Sequence, residues 1–422
     1  MPKAKVTVSL QRTSEEQKNI MRCALLVLLL AVLAAGSHFR GVTISWSSDK
    51  NTPGLVNFAF RIAWRLTSGN NGCTQQRITD GILHGSTLST DNWSTDEDGD
   101  LSTTQYYCTD FSVDENWATG GNTFSYTFND NRIREVYYAD CCWISVNEHG
   151  GSGDWYARTL VDLRPRSDTG EPNSSPITAS APVVRIVQEC DTVIRIPVED
   201  PDGDAVRCRW GNGTAECGEV CGALPNVTLD EGTCTLHYNA AGGMATGWWA
   251  VALVLEDFSR SPSCSSPPFP PECGPFTQIP LQFLAFVESS STPCDQRPEL
   301  VGQTPEDQGC IGIPTGDTYT AVIEAEAGGS GVTIDEILTT SPIGLMKSSL
   351  TVDPNNPQRA SITATWTPTA QQAGQHVFCF RAKDSNGIPG SYENFPSMPR
   401  EFGIQDRSLG YGIDRSEWQR PF

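Results

Sequence analysis

Carboxylates are concentrated at one point of this 422-residue chain, in the stretch VEDPDGD at residues 198–204. Asp200, Asp202 and Asp204 alternate along it, so a turn could bring their side chains together, and Asp257 ends a predicted strand that could approach from the same pole. Calcium prefers about six to eight oxygen ligands, and clustered carboxylates on a glycine-containing turn can supply several of them. The four aspartates are therefore predicted metal ligands of a weak calcium site.

A plain turn is the alternative interpretation of the same stretch. Pro201 fixes one φ angle, Gly203 permits a positive φ, and aspartates readily bond to their own backbone. A second acidic tract, TDEDGD at residues 95–100, imitates part of an EF-hand loop, but its twelfth position is Gln105 and no helix is predicted on either side. Only residues 198–204 therefore remain a candidate cation site.

Catalytic motifs are not found in the sequence. The five histidines share no common spacing, and the patterns G-x-S-x-G and H-E-x-x-H and a phosphate-binding glycine loop are absent. Zinc is not favoured either, because the cysteines form no paired C-x-x-C set. We expect a protein that is not an enzyme and has no catalytic residues. A secreted enzyme with an unrecognised site on a β-fold is the alternative.

The elements that would position these aspartates follow an apolar leader. Five basic residues precede CALLVLLLAVLAA, a run too short to span a bilayer comfortably, and small residues follow it. The pattern predicts a signal peptide over residues 1–36, cleaved before Ser37, with an uncleaved anchor as the alternative. No later stretch is apolar enough to cross a membrane, so we expect no membrane-spanning segment in the mature chain.

Charge and cysteine usage agree with an extracellular, secreted protein. The net charge is −21, which disfavours nucleic acid as a partner, since nucleic-acid binding needs a basic surface. Of 15 cysteines one, Cys23, lies in the leader, and the even remainder of 14 suits an oxidising compartment. Sequons at four asparagines predict a glycoprotein; they are Asn92, Asn173, Asn212 and Asn226.

Disulfide pairing can be predicted for only some of these cysteines. Neighbouring residues of a strand point to opposite faces, so Cys141 and Cys142 are predicted to bond to different partners, for which Cys73 and Cys108 are the candidates. Cys310 and Cys379 are the natural pair near the C-terminus. The eight cysteines from residue 190 to residue 294 leave every connectivity open.

Strand patterns recur along the rest of the chain. VNFAFRIAWRL at residues 56–66 alternates apolar residues with Asn57, Arg61 and Arg65, a strong strand signal. Two later strands run from a glycine to an aspartate ten residues on, and this match indicates a repeated all-β module. The predicted segments are an N-terminal β-rich module at 37–165, a linker at 166–182, β-sandwich modules at 183–290 and 291–405, and a polar tail at 406–422.

Tryptophans on these strands are predicted to lie mostly in the core. Trp248 and Trp249 are adjacent, and because adjacent strand residues face opposite ways, the two indoles cannot share one face. One of them is therefore expected to be buried, with the other half exposed or covered by a neighbouring module. An exposed indole would be a natural contact for a sugar or a protein.

Two stretches carry a resemblance to known repeats. WTPTAQQAGQHVFCFRAKDSNG at 366–387 resembles the final strands of the Ig-like and cadherin-like repeats of large extracellular proteins, and IPVEDPDGDAVRCRW at 196–210 resembles the acidic turn of the same class. SHFRGVTISW at 37–46 is similar to uncharacterised secreted or surface proteins of invertebrates. The resemblance implies an all-β fold, with tandem Ig-like and cadherin-like β-sandwich modules after a cleaved signal peptide.

Such a fold specifies function weakly. We expect a secreted, disulfide-bonded, glycosylated binding or adhesion protein of the extracellular matrix or cell surface, with an extracellular protein or a glycan as ligand. A secreted enzyme and a purely structural spacer are the alternatives. A binding protein should present a localised aromatic or acidic patch, an enzyme a deep pocket with converging titratable groups, and a spacer neither.

Overall fold

The computed structural model describes residues 39–67, 72–86, 91–147, 153–166, 168–260, 273–306, 309 and 311–390. The chain divides into a unit Met1–Ser37 and a compact unit His38–Phe422, and every described residue belongs to the second unit. The predicted signal peptide at 1–36 and the predicted polar tail at 406–422 lie outside the described residues.

Strands form nearly all the regular structure, so the predicted all-β class is confirmed. The first half of the described chain holds β1 (Phe39–Ser48), β2 (Leu55–Arg65), β3 (Leu83–His84), β4 (Asn92–Thr95), β5 (Gly99–Thr103), β6 (Tyr106–Ser112), β7 (Trp117–Thr127), β8 (Arg134–Asp140), β9 (Trp155–Val161), β10 (Ile177–Thr178), β11 (Val183–Val187), β12 (Thr192–Arg195) and β13 (Val198–Glu199). The second half holds β14 (Ala205–Trp210), β15 (Val227–Asp230), β16 (Thr235–Tyr238), β17 (Gly247–Phe258), β18 (Gln278–Glu288), β19 (Glu299–Val301), β20 (Tyr319–Glu326), β21 (Ile334–Thr340), β22 (Met346–Lys347), β23 (Thr351–Asp353), β24 (Asn356–Trp366) and β25 (Cys379–Asp384).

Helical structure is short by comparison. The described residues form the helices α1 (Gln75–Asp80) and α2 (Thr214–Cys217) and the single 3₁₀ turns Ala240–Gly242 and Ala370–Gln372. Among them, no helix has the length and the apolar character needed to traverse a lipid bilayer.

The largest described sheet has nine strands, and its strands β1, β2 and β7 form the floor of a cleft. Its order is β14-β17-β18-β1-β2-β7-β6-β3, and β11 pairs in parallel with β18. Within β2 the predicted period of two is confirmed, since the alternating apolar residues are buried; they are Val56, Phe58, Phe60, Ile62 and Trp64. Asn57 and Ala59, which lie between them, are exposed on the opposite face.

This sheet runs through segments that the sequence assigns to different modules. β1, from the 37–165 segment, pairs antiparallel with β18, from the 183–290 segment, and Val42 lies opposite Gln282. Backbone hydrogen bonds therefore join the two segments within one sheet. The boundaries of the modules remain predictions.

The two indoles of β17 show how this sheet separates two cores. Trp249 is only 7% exposed and packs in the core that the strands of the 183–290 segment form. Trp248 packs against the other core, where its ring contacts Phe286 and lies 4.8 Å from the guanidinium carbon of Arg40. The prediction that the two rings face opposite ways is confirmed.

The predicted linker at 166–182 contributes buried residues to this structure. β10 pairs with β13, and Ser175 is fully buried, with its Oγ accepting a 2.8 Å hydrogen bond from the backbone N–H of Trp46. Asn173 is also buried, at 2% exposure. The segment lacks an apolar rhythm because several of its buried groups are polar and bond to backbone or to carboxylates.

The third segment packs against the first through buried polar contacts. The Nζ of Lys347 lies 2.7 Å from Oδ1 of Asp110, which is fully buried, and the backbone N–H of Thr339 donates to Oδ2 of Asp110 at 2.8 Å. A buried carboxylate is stable only when it is paired and hydrogen-bonded, as here. These contacts hold the third segment against β6 of the large sheet.

The two matching strand ends share a local structure. Asp257 and Asp384, at the ends of β17 and β25, are at most 1% exposed. The Oδ1 of Asp257 accepts a hydrogen bond from the backbone N–H of Thr277 at 2.8 Å, and the Oδ1 of Asp384 accepts one from the backbone N–H of Ile388 at 2.8 Å. The repeat itself remains a prediction, and these two ends agree with it.

Disulfides connect the described strands and loops, which confirms that the protein is disulfide-bonded. Five bonds join described cysteines, namely Cys73–Cys108, Cys141–Cys142, Cys190–Cys294, Cys208–Cys234 and Cys217–Cys221. The prediction that Cys141 and Cys142 take different partners is wrong, because both follow the end of β8 at Asp140, where strand alternation no longer applies. Cys310 lies outside the described residues, so its pairing with Cys379 stays a prediction.

Candidate functional site

The acidic stretch 198–204 folds as the turn that its composition predicts. The Oδ1 atom of Asp200 accepts hydrogen bonds from the backbone N–H groups of Asp202 at 3.0 Å and Asp204 at 2.9 Å. Gly203, at a φ of +80°, donates its N–H to the carbonyl of Asp200. Aspartates favour this local bonding, and glycine adopts the positive φ without strain. The turn fixes where the remaining carboxylate oxygens point.

Three of the four predicted ligands come together behind this turn. Asp200, Asp204 and Asp257 are all buried, and each can offer a carboxylate oxygen such that these oxygens lie within 4.8 Å of one another. Asp202 is not in this group, and its Oδ2 accepts the backbone N–H of Ser174 at 2.6 Å. The structure therefore assembles the carboxylates that a cation would need, while metal binding itself stays a prediction.

Burial and mutual repulsion shape the electrostatics of this acidic cluster, which consists of Asp200, Asp204 and Asp257. Burial, together with the like charges of Asp204 and Asp202, raises the pKa of Asp200 to about 7. Burial, and then the nearby charge of Asp200, raises the pKa of Asp257 well above its usual range. Asp200 and Asp257 therefore keep their protons to a higher pH than ordinary aspartates do.

Two partners of the cluster were missed by the sequence analysis. Arg166 donates to both oxygens of Asp204, at 2.8 Å to Oδ1, and the Nδ2 of Asn173 donates to Oδ2 of Asp257 at 2.6 Å. Both residues belong to the segment predicted to be an exposed linker, where nothing in the local pattern distinguishes a buried arginine from a solvated one.

The buried position of Asn173 also bears on its predicted glycosylation. Its Oδ1 accepts from Arg166 at 2.9 Å while its Nδ2 donates to Asp257, so both ends of the amide are used inside the protein. A glycan on Nδ2 does not fit this structure. The sequon at Asn173 is therefore a wrong prediction for the folded chain, and the reason is burial.

A large cleft opens where the three segments meet, over the outer face of β1, β2 and β7. Its volume is about 620 Å³. The floor consists of three cross-strand rows, which are Thr43–Arg61–Gly121, Ser45–Ala59–Thr123 and Ser47–Asn57–Ser125. Small side chains at these alternating positions leave the sheet face uncovered. Pro201, within the acidic turn, lies at the edge of this cleft.

The roof of the cleft comes from the third segment. The loop 371–377 places Gln372, Gln375 and His376 over the floor. The Nε2 of Gln372 donates to the carbonyl of Ile343 at 2.7 Å, whereas the buried Oε1 of Gln375 has no hydrogen-bond partner among the described residues. Burial lowers the pKa of His376, so its ring is neutral at neutral pH. The roof therefore presents neutral amide and imidazole groups.

The charge of the cleft differs from that of the chain. Aspartate and glutamate make up 50 of the 422 residues, yet neither occurs among the described residues that line the cleft. The one arginine among these described lining residues, Arg61, donates to the carbonyl of Ser341 at 2.8 Å and to Oγ1 of Thr109 at 3.4 Å. Burial lowers the pKa of Arg61 to about 10, which still leaves it charged at neutral pH.

Comparison with known proteins finds one family model that matches part of this chain. Residues 40–164, which carry all the floor residues, match the family model described as integrin beta-like protein A-E, N-terminal. The chain is 24% identical over 401 residues to integrin beta-like protein C of Dictyostelium discoideum, covering 88% of this chain and 19% of that protein. It is 21% identical over 422 residues to integrin beta-like protein A of the same organism, covering 94% of this chain and 21% of that protein.

The chain thus spans about a fifth of the length of these relatives. A solved structure of Dpr2 Ig1-Ig2 with DIP-Theta Ig1-Ig3 covers 82% of this chain and 86% of that chain at 11% identity, with a TM-score of 0.16, which is too low to support a structural argument. The expected resemblance to surface proteins of invertebrates finds no support in the Dictyostelium relatives, and the Ig-like and cadherin-like resemblance stays a prediction.

Proposed function

We propose that this chain is an extracellular, adhesion-type recognition protein that binds a glycan in the cleft under the loop 371–377. The single observation that carries the proposal is a cleft of about 620 Å³ whose described lining residues include no carboxylate, in a chain of net charge −21. The names of its relatives, integrin beta-like proteins, favour the adhesion class. The disulfides favour an extracellular or cell-surface location.

The groups in the cleft suit a polyhydroxylated ligand. Hydroxyl and amide side chains donate and accept hydrogen bonds at once, which matches the paired donors and acceptors of sugar hydroxyls. Thr123 and Asn57 are exposed on the floor, and Gln375 offers an unpaired acceptor in the roof. Arg61 adds a single positive charge, so a sugar that carries a carboxylate is favoured over a neutral one.

An enzyme and a spacer remain the alternatives, and the cleft supports neither. The described residues of its lining include one histidine and no carboxylate or cysteine, so no acid–base pair converges among them. A spacer, in turn, has no need of an uncovered sheet face beneath an overhanging loop. These observations favour binding without chemistry.

Glycosylation of the chain itself belongs to the same proposal. Asn212 and Asn226 are exposed and Asn92 is half-buried, so these three sequons can accept a glycan on the folded surface, unlike Asn173. Mass spectrometry of peptides from the secreted protein tests this assignment, and a glycan on Asn173 together with bare Asn212 and Asn226 would contradict it.

An array of defined oligosaccharides, neutral and carboxylate-bearing, tests the proposed function. The full secreted chain should bind a subset of the array, and Thr123→Asp should abolish that binding because it places a carboxylate on the cleft floor. Thr127→Asp is the matched control, since Thr127 is an exposed residue of the same strand outside the cleft. Binding that survives Thr123→Asp, or no binding to any sugar, would contradict the proposal.

A further inference from the structure

We propose that Asp200, Asp204 and Asp257 bind a calcium ion. The inference does not depend on a ligand in the cleft. It begins from one atom, the Oδ2 of Asp200, which is buried in a residue only 4% exposed and has no hydrogen-bond partner among the described residues. Buried carboxylate oxygens are almost always hydrogen-bonded, so an orphan oxygen that belongs to a group of three carboxylates indicates a missing cation.

The spacing of the cluster suits calcium. Calcium–oxygen bonds are about 2.3–2.6 Å, so two ligands on opposite sides of the ion lie about 4.6–5.2 Å apart. One carboxylate oxygen from each of the three aspartates lies within 4.8 Å of the other two, which fits one shared ion. The oxygens of Asp204 and Asp257 also accept hydrogen bonds, from Arg166 and from Asn173 and Thr277, whereas Oδ2 of Asp200 accepts none among the described residues. Each ligand comes from a hydrogen-bonded element, since Asp200 and Asp204 flank the turn and Asp257 is the last but one residue of β17. Water and backbone carbonyls would complete the shell.

The charge of the surroundings leaves room for a divalent ion. Asp168 and Asp202 lie beside the cluster, and the arginines that contact it are Arg166, on the carboxylate of Asp204, and Arg260, on the backbone carbonyl of Asp204. With Asp200, Asp204 and Asp257, the group therefore counts five carboxylates against two guanidinium groups. Arg166 bonds to the carboxylate of Asp204 rather than to the carboxyl groups of Asp200 and Asp257.

The site is expected to be weak, because three carboxylates supply only part of a calcium shell. Open extracellular sites of this kind have dissociation constants of about 10⁻⁴–10⁻³ M. At a calcium concentration about ten times the dissociation constant, binding should raise the Tm of the full chain by about 1–2 °C. Magnesium should have a smaller effect, since it demands a near-ideal octahedral shell.

The experiment is thermal unfolding of the full secreted chain in calcium at about ten times the upper dissociation constant, in magnesium at the same concentration and in chelator. Two variants, Asp200→Asn and Asp257→Asn, should fold but lose the calcium-dependent rise in Tm, because the amide keeps the Oδ1 acceptor used by the backbone. Asp384→Asn is the matched control: Asp384 is an equally buried strand-end aspartate with an orphan Oδ2, outside the cluster of three.

The predicted result is a calcium-dependent shift in the wild type and in Asp384→Asn and no shift in the two cluster variants. Calorimetric titration of the folded wild type with calcium gives a second readout, which stands even if a variant fails to fold. No shift and no heat of binding in the wild type, or an unchanged shift in Asp200→Asn, overturns the inference.

Discussion

The Nη2 atom of Arg381 lies 2.8 Å from Oε2 and 3.0 Å from Oε1 of Glu115, although the two residues are 266 positions apart in the chain. Their side chains are 2% and 1% exposed. Glu115 also accepts the indole N–H of Trp117 at 2.7 Å, and Arg381 donates to the carbonyl of Val183 at 3.0 Å. One ion pair thus ties all three segments together.

Removal of this carboxylate should destabilise the whole compact unit. Glu115→Ala leaves the guanidinium of Arg381 buried and without its carboxylate, and losing one partner of such a pair costs about 3–5 kcal/mol in free energy of unfolding. Urea denaturation of both proteins measures the difference. Glu326→Ala is the control, because Glu326 and Arg359 form a pair 35–37% exposed, for which about 0–1 kcal/mol is expected. Equal losses in the two variants would contradict this account.

Glu216 should make stability depend on pH in the acid range. Burial by itself would raise the pKa of Glu216, but the hydrogen bonds from Arg209 and from the backbone of Asn212, aided by Arg158, outweigh burial and lower it to about 2. Because the folded-state pKa lies below the unfolded value of about 4.5, the stabilisation is complete above that pH. It is lost progressively as the pH falls from about 4.5 towards 2.

The wild type and Glu216→Gln should therefore differ in free energy of unfolding at about pH 6 and converge near pH 2. The glutamine side chain keeps the shape of the glutamate but not the charge that Arg209 contacts at 2.7 Å through two nitrogens. Denaturant titrations at several pH values across this range give the comparison. A difference that stays constant throughout would mean that the charge of Glu216 contributes nothing.

Arg61 should decide between charged and neutral ligands. A charge-assisted hydrogen bond contributes about 1.5–3 kcal/mol to binding. Arg61→Gln should therefore lower the affinity for a carboxylate-bearing oligosaccharide by about 10- to 100-fold and the affinity for a neutral one far less. Arg65→Gln is the matched control on the same strand, outside the cleft. Affinities from calorimetry test the prediction, and equal losses for the two sugars would show that Arg61 acts through structure alone.

Local patterns in the sequence were enough for the strands and the turn, because these depend on neighbouring residues. The alternation in 56–66 and the opposed indoles of Trp248 and Trp249 follow from the geometry of a single strand. The turn at 200–204 follows from proline, glycine and aspartate in one place. The sequence also predicts that Asp257 lies near this turn, because the aspartate and the turn each occur at the end of a strand.

Long-range pairing was beyond the same reasoning. Nothing in the residues around Arg166 or Asn173 shows that they bond to aspartates 38 and 84 positions away. The cleft cannot be predicted from local sequence for a similar reason. Thr43, Ala59 and Thr123 carry no individual signal of a binding site, and only the strand register brings them onto one face beneath the loop 371–377. The vicinal disulfide does not follow from strand alternation, because Cys141 and Cys142 come after the end of β8.

Hydrogen exchange tests the central claim, that the cleft binds a glycan, most directly. Amide exchange of the full chain should be measured with and without the oligosaccharide that binds best on the array. We predict slower exchange in the roof loop 371–377 on binding, and unchanged exchange in the exposed edge strand β23, which lies outside the cleft. Saturating sugar that leaves the exchange of 371–377 unchanged, or protects only residues elsewhere, would contradict the account.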